Sequence, residues 1–519
     1  MTRSRRRRTN PGRSPARRPQ KAIGAGLSER GRALLVFAAF VALGIFLVAH
    51  HEPWRDEADA WLIARDAPVA DLFLRGGYVG SPALWYLLLV PFAKLGLPYA
   101  TLGFVNLVIA CAAVGLLLIA APFPLWQRAL VAFSYLFSYE YTVVARSYAL
   151  SVLFLFVLAA MHDRRDQRPR TYGLLTALLF NTNVHGMALA APILAIRGWE
   201  ALRSESRRGL ASWQGLAIAA AGGLLAAATI VPHPDGQLQG LSRAAGWRWV
   251  ATSLAGALFP SQVDRTLVME QPPPHLLVTV LAALIWIAIA TRLLRRPQTL
   301  AFLVASSALL WALFALKYPG GLRHWGFLLL AILYALWITA LEAHRESASS
   351  PVPAPPVRDW RAAVSRAGMV GLGVSLSWSV CFASYFWWRE FVDPFSEAAR
   401  MSAYLIQKDL TQVPIVAWRS AQAEAVLPFL PIRRFYYPAI RDSGSYLKWD
   451  HSYEKGEVIS DAEVLSRSNA AFPHGDLLLM SDGPIMGAEA AGFEAIYAAA
   501  AGNSMVEDER YLLYRRGAR

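Results

Sequence analysis

The sequence predicts an α-helical polytopic membrane protein with about eleven transmembrane helices and a C-terminal soluble α/β domain. Of its 519 residues, 55% are hydrophobic, a larger share than a soluble protein of this size carries. Apolar runs of roughly 16–22 residues recur, and runs of this length can cross a bilayer as helices. After about residue 388 the chain turns to mixed polar and apolar residues. We therefore expect a transmembrane domain over residues 32–388 and a soluble domain over residues 389–519.

The distribution of charge indicates membrane orientation. The formal net charge is +15, and the basic residues cluster in short segments between the hydrophobic runs. This placement is what the positive-inside rule predicts for cytoplasmic loops, so no nucleic-acid partner is expected. Residues 1–31 are rich in arginine, proline, glycine and serine, which predicts a disordered basic cytoplasmic tail. Cys111 and Cys381 lie inside apolar runs and predict neither a disulfide nor a metal site.

The basic loops also decide the predicted topology. The first crossing, about residues 33–49, brings His50 to the outer face. The apolar run Pro82–Leu97 is short and broken by proline, and we interpret it as a re-entrant or surface helix. This choice keeps the basic loop His162–Arg170 inside, and eleven crossings then place every strongly basic loop on one side. The expected location is a bacterial inner membrane, with a cytoplasmic N-terminus and a periplasmic C-terminal domain.

The stretch His50–Asp71 follows the first crossing and is the richest in reactive groups. Four acidic side chains fall within eight residues: Glu52, Asp56, Glu57 and Asp59. Apolar residues recur at helical spacing, namely Trp54, Ala58, Trp61 and Leu62. The pattern predicts a short helix lying flat on the membrane, with tryptophans toward the headgroups and carboxylates toward water. Partial desolvation would raise a carboxylate pKa toward the range of a general base. A solvated acidic loop is the alternative.

Polar residues from three other outer turns are predicted to converge on this helix. They are Glu140, Arg146, Tyr148, Asn183, His185, Lys317, Arg323 and His324. Polar residues at the ends of apolar helices are costly and commonly mark a site. Simpler interpretations exist for single residues: Glu140 could pair with Arg146, and Asn183 could cap a helix. The convergence of all four segments at one face favours a site.

These residue types suit sugar transfer from a lipid phosphate. Asp56 or Glu57 would position or deprotonate an acceptor hydroxyl. Cationic or polar side chains would hold the donor phosphate, namely Arg323, His324, Arg146 and Lys317. Further substrate contacts are expected from Glu140, Tyr148, Asn183, His185 and Trp54. Membrane lipids would surround the donor chain.

Two further expectations concern the acidic helix. An acidic cluster could bind a divalent cation, but Asp56 and Glu57 are adjacent and point about 100° apart on a helix. No metal or other cofactor is therefore expected to be obligatory. Asp59 is expected to pair with Arg55 at i,i+4.

The chain resembles the membrane glycosyltransferases of the GT-C fold, which include protein O-mannosyltransferases and aminoarabinose transferases, and is most similar to bacterial family 39-like proteins. The resemblance covers most of residues 33–388. It is carried by WRDEADAW (Trp54–Trp61), SPALWYLLLVPF (Ser81–Phe92), YEYTVVARSYAL (Tyr139–Leu150) and GGLRHWG (Gly320–Gly326). The first motif resembles the loop that holds the catalytic aspartate of the superfamily, which implies that role for Asp56. The chain departs from the pattern at Ser81, often histidine in the family, and at Ser147, usually proline.

The resemblance implies a transferase that moves a sugar from a polyprenyl-phosphate-linked donor to an extracytoplasmic lipid, glycan or protein acceptor of the cell envelope. Two other function classes stay open. A transporter or flippase of lipid-linked saccharides would carry its polar residues near the bilayer midplane on broken helices. A non-catalytic scaffold for envelope assembly would bind through the C-terminal domain.

In the C-terminal domain, three short segments read as buried strands: Val413–Trp418, Asp476–Asp482 and Arg510–Arg516. They predict a small α/β domain of Rossmann-like layering. No glycine-rich phosphate loop follows these strands, so nucleotide binding is not expected there.

Overall fold

A computed structural model of the chain describes residues 28–203, 209–237, 246–261, 274–349, 360–499 and 504–518. Most of the predicted basic tail, residues 1–27, lies outside the described residues. Residues 28–31 do not belong to that tail, because the first helix already begins at Glu29. Ser28 caps this helix, and its hydroxyl accepts a hydrogen bond from the N–H of Gly31 at 3.1 Å.

The membrane domain is a bundle of helices of unequal length. Its fifteen described α-helices are α1 Glu29–His50, α2 Arg55–Asp66, α3 Leu72–Val79, α4 Leu84–Lys94, α5 Thr101–Ala120, α6 Leu125–Phe133, α7 Tyr148–Ala160, α8 Pro169–Phe180, α9 Val184–Arg203, α10 Leu210–Thr229, α11 Arg248–Leu258, α12 Leu276–Arg292, α13 Pro297–Ala312, α14 Leu322–Ser349 and α15 Trp360–Val392. Two π-helical turns, Leu136–Glu140 and Leu313–Lys317, lie close before α7 and α14.

Seven of the described helices are long and apolar enough to cross a membrane: α1, α5, α10, α12, α13, α14 and α15. All seven coincide with predicted crossings, so the protein is a multi-pass membrane protein. The other four predicted crossings correspond to α6 with its π-helical turn, α7, α8 and α9, which are shorter or less apolar. The count of eleven is therefore not confirmed. Helix α4 spans only about 16 Å, roughly half the thickness of the hydrocarbon core, and its re-entrant or surface position stays a prediction.

The C-terminal part is a mixed sheet with short helices. Its helices are α16 Ala398–Gln407, α17 Ser420–Glu424, α18 His451–Gly456 and α19 Asp461–Ala471, and its strands are β1 Ile415–Ala417, β2 Phe435–Tyr437, β3 Asp442–Gly444, β4 Leu477–Ser481, β5 Glu494–Ala498 and β6 Leu512–Arg516. The strand order is β3-β2-β1-β4-β6-β5. Strand β1 pairs parallel with β2 and β4, and the outer pairs are antiparallel. The three predicted strands are β1, β4 and β6, which confirms a small α/β domain.

The two faces of this sheet pack against two different hydrophobic cores. Along β4 the side chains alternate, and Leu477 and Leu479 pack in a core with Val464 of α19. Leu478 and Met480 face the other way and join a core that includes α2 and α4 of the membrane domain. The C-terminal domain and α2 therefore share one hydrophobic core, and α2 lies between the bundle and the sheet.

Candidate functional site

Helix α2 forms as predicted, but its surroundings differ from the expectation. Trp54 and Trp61 are only 3% and 2% exposed. The Trp54 ring meets Phe395 edge-on at 6.0 Å between centroids, and Trp61 lies 5.9 Å from Tyr99. The expected orientation toward headgroups is wrong for both tryptophans, because the C-terminal domain covers the face that would otherwise reach them.

Asp56 lies between two arginines from distant parts of the chain. Its Oδ2 accepts a hydrogen bond from Arg323 Nη2 at 3.0 Å and lies 3.6 Å from Arg146 Nη1. Arg146 also donates to the Asp56 carbonyl. The Arg323 guanidinium lies 5.1 Å from the centroid of the Trp54 ring. The side chains of Asp56, Arg146 and Arg323 are 18–28% exposed, so the cluster is partly accessible to solvent. We call the partly exposed surface at these three side chains the recess.

The net charge of this cluster is positive and therefore favours the binding of an anion. Burial alone would raise the pKa of Asp56, but Arg146, Arg323 and Arg55 outweigh burial and lower that pKa. Asp56 is therefore ionised, and together with Arg146 and Arg323 it leaves one positive charge uncompensated.

Glu57 points away from the recess and is fully buried. Its Oε2 lies 2.9 Å from His51 Nε2, and its Oε1 accepts the N–H of Ala145 at 2.7 Å. The other ring nitrogen of His51 lies 2.7 Å from Glu390 Oε1. Burial lowers the pKa of His51, but the carboxylates of Glu57 and Glu390 outweigh burial and raise it to about 10. The Glu57 side chain therefore ties α1, α2 and α15 to the segment that carries Arg146, and the catalytic role expected of it stays a prediction.

A second set of predicted residues forms an aromatic wall beside Arg323. The Tyr148 hydroxyl lies 2.8 Å from His324 Nε2, and His324 Nδ1 accepts the N–H of Gly321 at 3.0 Å. Since Nδ1 accepts, we assign the proton to Nε2, which donates to the Tyr148 oxygen. His185 stacks on His324 at 4.8 Å between centroids. Neither ring nitrogen of His185 has a hydrogen-bond partner among the described residues. The hydroxyl proton of Tyr148 is thus left to donate elsewhere.

Three predicted residues have other surroundings. Glu140 accepts a hydrogen bond from the Tyr135 hydroxyl at 2.7 Å, and Arg146 pairs with Asp56 instead. Asn183 caps α9, since its Oδ1 accepts the N–H of Gly186 at 2.9 Å. Lys317 ends the π-helical turn before α14 and is half-buried.

Asn183 also fixes the backbone segment that carries Arg146 and Tyr148. Its side-chain amide donates to the hydroxyls of Ser147 and Ser151, at 3.2 and 2.9 Å. Ser147 stands between Arg146 and Tyr148 in the chain, so this amide holds the segment from which both side chains project.

The expected pairing of Asp59 with Arg55 is wrong. Arg55 reaches into the C-terminal domain, where Nη1 donates to Asp508 at 2.6 Å and the backbone N–H donates to Glu509 at 3.1 Å. Asp59 instead lies 3.7 Å from Arg75 of α3. Sequence reasoning missed Arg75, although an arginine inside the otherwise apolar α3 is a signal that could have found it.

No arrangement for a metal ion is present in the part of the chain that the structure describes, which holds no group of three or more His, Cys, Asp or Glu side chains suited to one. Asp56 and Glu57, the adjacent pair considered for a cation, face different partners.

The helical bundle, helix α2 and the C-terminal sheet together have the GT-C fold, as the sequence predicted. The crystal structure of ArnT from Cupriavidus metallidurans bound to undecaprenyl phosphate matches 95% of this chain and 100% of its own, with a TM-score of 0.53 and 13% identity. ArnT from the same organism in the apo state matches with a TM-score of 0.48 and 14% identity, over 94% of this chain and 99% of its own.

A third structure, the arabinofuranosyltransferase AftD from Mycobacteria, matches 95% of this chain and 40% of its own, with a TM-score of 0.35 and 14% identity. No protein-family model and no curated protein matches the sequence. At these identities the likeness establishes the fold.

Proposed function

We propose that the protein is an integral-membrane glycosyltransferase that moves a sugar from a polyprenyl-phosphate donor to an extracytoplasmic acceptor in the cell envelope. The observation that carries the proposal is the pair of guanidiniums, Arg146 and Arg323, held around Asp56 at a partly open recess. The GT-C fold agrees with it, and ArnT, which has this fold, was crystallised with undecaprenyl phosphate.

The guanidinium pair suits a leaving phosphate. When the bond between the sugar and the phosphate breaks, negative charge develops on the phosphate oxygens, and preorganised cations stabilise that charge. Arg323 is backed by the Trp54 ring and Arg146 by the Asp56 carbonyl, so both are positioned before the donor arrives. Lys317 is proposed as a further phosphate contact from the segment that leads into α14. His324 is proposed to act on the phosphate through Tyr148, whose oxygen accepts the Nε2 proton of His324.

The remaining predicted residues are proposed to bind the sugar or to hold those that do. Tyr148 has a hydroxyl proton to donate, and His185 has two ring nitrogens without partners among the described residues, so both suit sugar hydroxyls. Asn183 and Glu140 would act indirectly, by holding the helix ends that they contact. Trp54 would support Arg323 through its ring.

The proposed orientation places this recess on the periplasmic side of a bacterial inner membrane. Near the end of α14, Glu342 lies 3.6 Å from His162 and 3.5 Å from Arg296, so two basic loops meet there. Arg323 and Glu342 are about 28 Å apart along α14, close to the thickness of the hydrocarbon core. If the basic end is cytoplasmic, the recess faces the opposite side.

The test separates transfer from transport and from scaffolding. Purified protein in liposomes is supplied with radiolabelled polyprenyl-phosphate sugars and an envelope extract as acceptor, and the release of polyprenyl phosphate is measured. Envelope glycans and glycoproteins of cells lacking the protein are analysed by mass spectrometry. We expect one modification to disappear and to return with the wild-type chain but not with an Arg146→Ala/Arg323→Ala variant.

Movement of the lipid-linked sugar across the bilayer without release of polyprenyl phosphate would indicate a flippase. Full complementation by the double-alanine variant would indicate a scaffold. Either result would refute the transferase proposal.

A further inference from the structure

A polar cavity lies at the opposite end of the bundle from the recess. It encloses about 410 Å³ up to its mouth, within the range of roughly 300–1,000 Å³ that is typical of cavities for small ligands. On α14 its lining residues Tyr334, Ile338 and Glu342 are spaced by four residues, so they share one face of the helix. Arg323 and Glu342 are about 28 Å apart along α14, so this cavity is separate from the recess.

The character of the lining changes along α14. At Tyr334, about 12 Å from Glu342 along the helix, the hydroxyl lies 3.1 Å from the hydroxyl of Tyr172. One of these two hydroxyls accepts, so its own proton remains available for a ligand. Apolar side chains line the cavity as well: Ile193, Ile196, Phe302 and Ile338. Around Glu342 the lining is charged.

Two arginines supply hydrogen-bond donors to this charged part. The side chains of Arg165 and Arg197 are 8% and 13% exposed, and both contact the carboxylate of Glu200. Arg165 Nε is buried and has no hydrogen-bond partner among the described residues. An unpaired buried donor costs free energy, and an oxygen atom of a ligand would recover it.

The first turn of α13 adds further donors. Its residues Gln298 and Thr299 line the same cavity, and the side chain of the N-cap residue Arg296 does not cap the helix. First-turn N–H groups have no partner within their own helix, and the helix dipole favours negative charge beside them. The cavity therefore combines two guanidiniums with an uncapped helix N-terminus, which suits a phosphate group.

The charges of the lining balance one another. Arg165 and Arg197 are matched by the carboxylates of Glu200 and Glu342, of which Glu342 is the more exposed, at 23% against 3%. Glu342 would raise the pKa of His162, but burial outweighs it and lowers that pKa, so the ring is neutral. An anionic ligand would leave one charge uncompensated in a poorly solvated place, whereas a zwitterion would not.

We propose that this cavity binds the headgroup of a zwitterionic phospholipid, phosphatidylethanolamine, from the leaflet at the basic end of the bundle. The phosphate lies against Arg165, Arg197 and the first turn of α13, and the ammonium group lies against Glu342. An ester carbonyl of the glycerol accepts the spare tyrosine proton, and the acyl chains extend into the bilayer. This binding is independent of the proposed transferase activity.

The experiment measures lipid retention by native mass spectrometry. Purified protein is released from nanodiscs that contain phosphatidylethanolamine, phosphatidylglycerol and phosphatidylcholine in equal amounts. The wild-type protein should retain phosphatidylethanolamine, because this headgroup combines a phosphate, a donating ammonium group and no net charge. Arg165→Gln should reduce its retention by about 10–100-fold, since a charge-assisted hydrogen bond is lost. Glu342→Gln should lose the preference over phosphatidylglycerol.

Two further variants control for charge and for folding. Arg203→Gln removes an exposed arginine at the end of α9, outside the lining of the cavity, and should retain lipid as the wild-type protein does. Ile338→Phe fills the cavity and changes no charge, so it should exclude the lipid while the protein stays folded. Melting in detergent reports the folding of each variant. If Arg165→Gln is not folded, Ile338→Phe decides the assignment.

Three results would overturn the proposal. Equal retention of the three lipids by the wild-type protein would indicate annular lipid only. Retention of phosphatidylethanolamine by folded Ile338→Phe would place the lipid elsewhere. The third result concerns free phosphate compounds: in phosphatidylcholine nanodiscs, inorganic phosphate or phosphoethanolamine would raise the melting temperature as much as phosphatidylethanolamine does. None of these results bears on sugar transfer, which is measured separately by the release of polyprenyl phosphate.

Discussion

Replacing Arg323 by alanine tests the phosphate clamp most directly. Arg323 donates to Asp56 at 3.0 Å, stacks over Trp54 and is 18% exposed. Without it, Arg146 alone faces Asp56, and the cluster changes from one net positive charge to none. Losing a charge-assisted hydrogen bond in a poorly solvated site costs about 2–3 kcal/mol. Binding of polyprenyl phosphate should therefore weaken by about 30–160-fold.

The measurement is equilibrium binding of tritiated polyprenyl phosphate to purified protein in nanodiscs. Arg323→Lys should recover only part of the affinity, because a point charge does not reproduce the planar guanidinium fork. Arg441→Ala is the matched control, since Arg441 is an exposed arginine of the C-terminal domain that pairs with Glu463 at 3.2 Å. Wild-type affinity in Arg323→Ala would refute the clamp as described and shift the phosphate to Arg146 and Lys317.

Two further predictions concern orientation and stability. With Cys111 and Cys381 removed, a cysteine at position 484 should react with an impermeant thiol reagent in intact cells and one at position 168 should not; labelling at 168 would reverse the proposed orientation. The folded-state pKa of His51 is raised from 6.5 to about 10, so its stabilisation is complete below about pH 6.5 and is lost as pH rises through 10. His51→Gln should remove this pH dependence and lower the free energy of unfolding by about 3–5 kcal/mol, because Glu57 and Glu390 lose their buried partner. Thermal unfolding in detergent at several pH values measures both effects. An unchanged melting temperature would contradict the pairing.

Local patterns in the sequence were sufficient to predict the positions of several helices. Hydrophobic runs long enough to cross a bilayer located seven membrane helices, and apolar spacing located α2. The cap of α9 follows from Asn183 alone, since asparagine before an apolar helix commonly accepts an N–H of the first turn. Each of these features depends on residues a few positions apart, which is the range that periodicity and capping rules describe.

Long-range contacts explain what sequence reasoning missed. Arg55 pairs with Asp508, which lies in a part of the chain too distant for any spacing rule. The same domain buries Trp61, so a tryptophan that resembles an interfacial anchor is a core residue. Strand β1 is as short as β2 and β3, but it lies inside the apolar run Val413–Trp418, whereas β3 consists of Asp442, Ser443 and Gly444, which carry no strand signal.

The position of α2 gives the C-terminal domain a physical part in the proposed chemistry. The start of the helix is held by Arg55, which contacts Asp508 and Glu509, and its end by Asp66, which lies 3.6 Å from Arg433. Between these anchors, the face opposite the recess is buried against the sheet. A displacement of about 1 Å at a reacting group can cost on the order of 100-fold in rate, so the groups on α2 need a rigid support. Asp56 projects from a helix that contacts both domains, and the proposed site therefore depends on both.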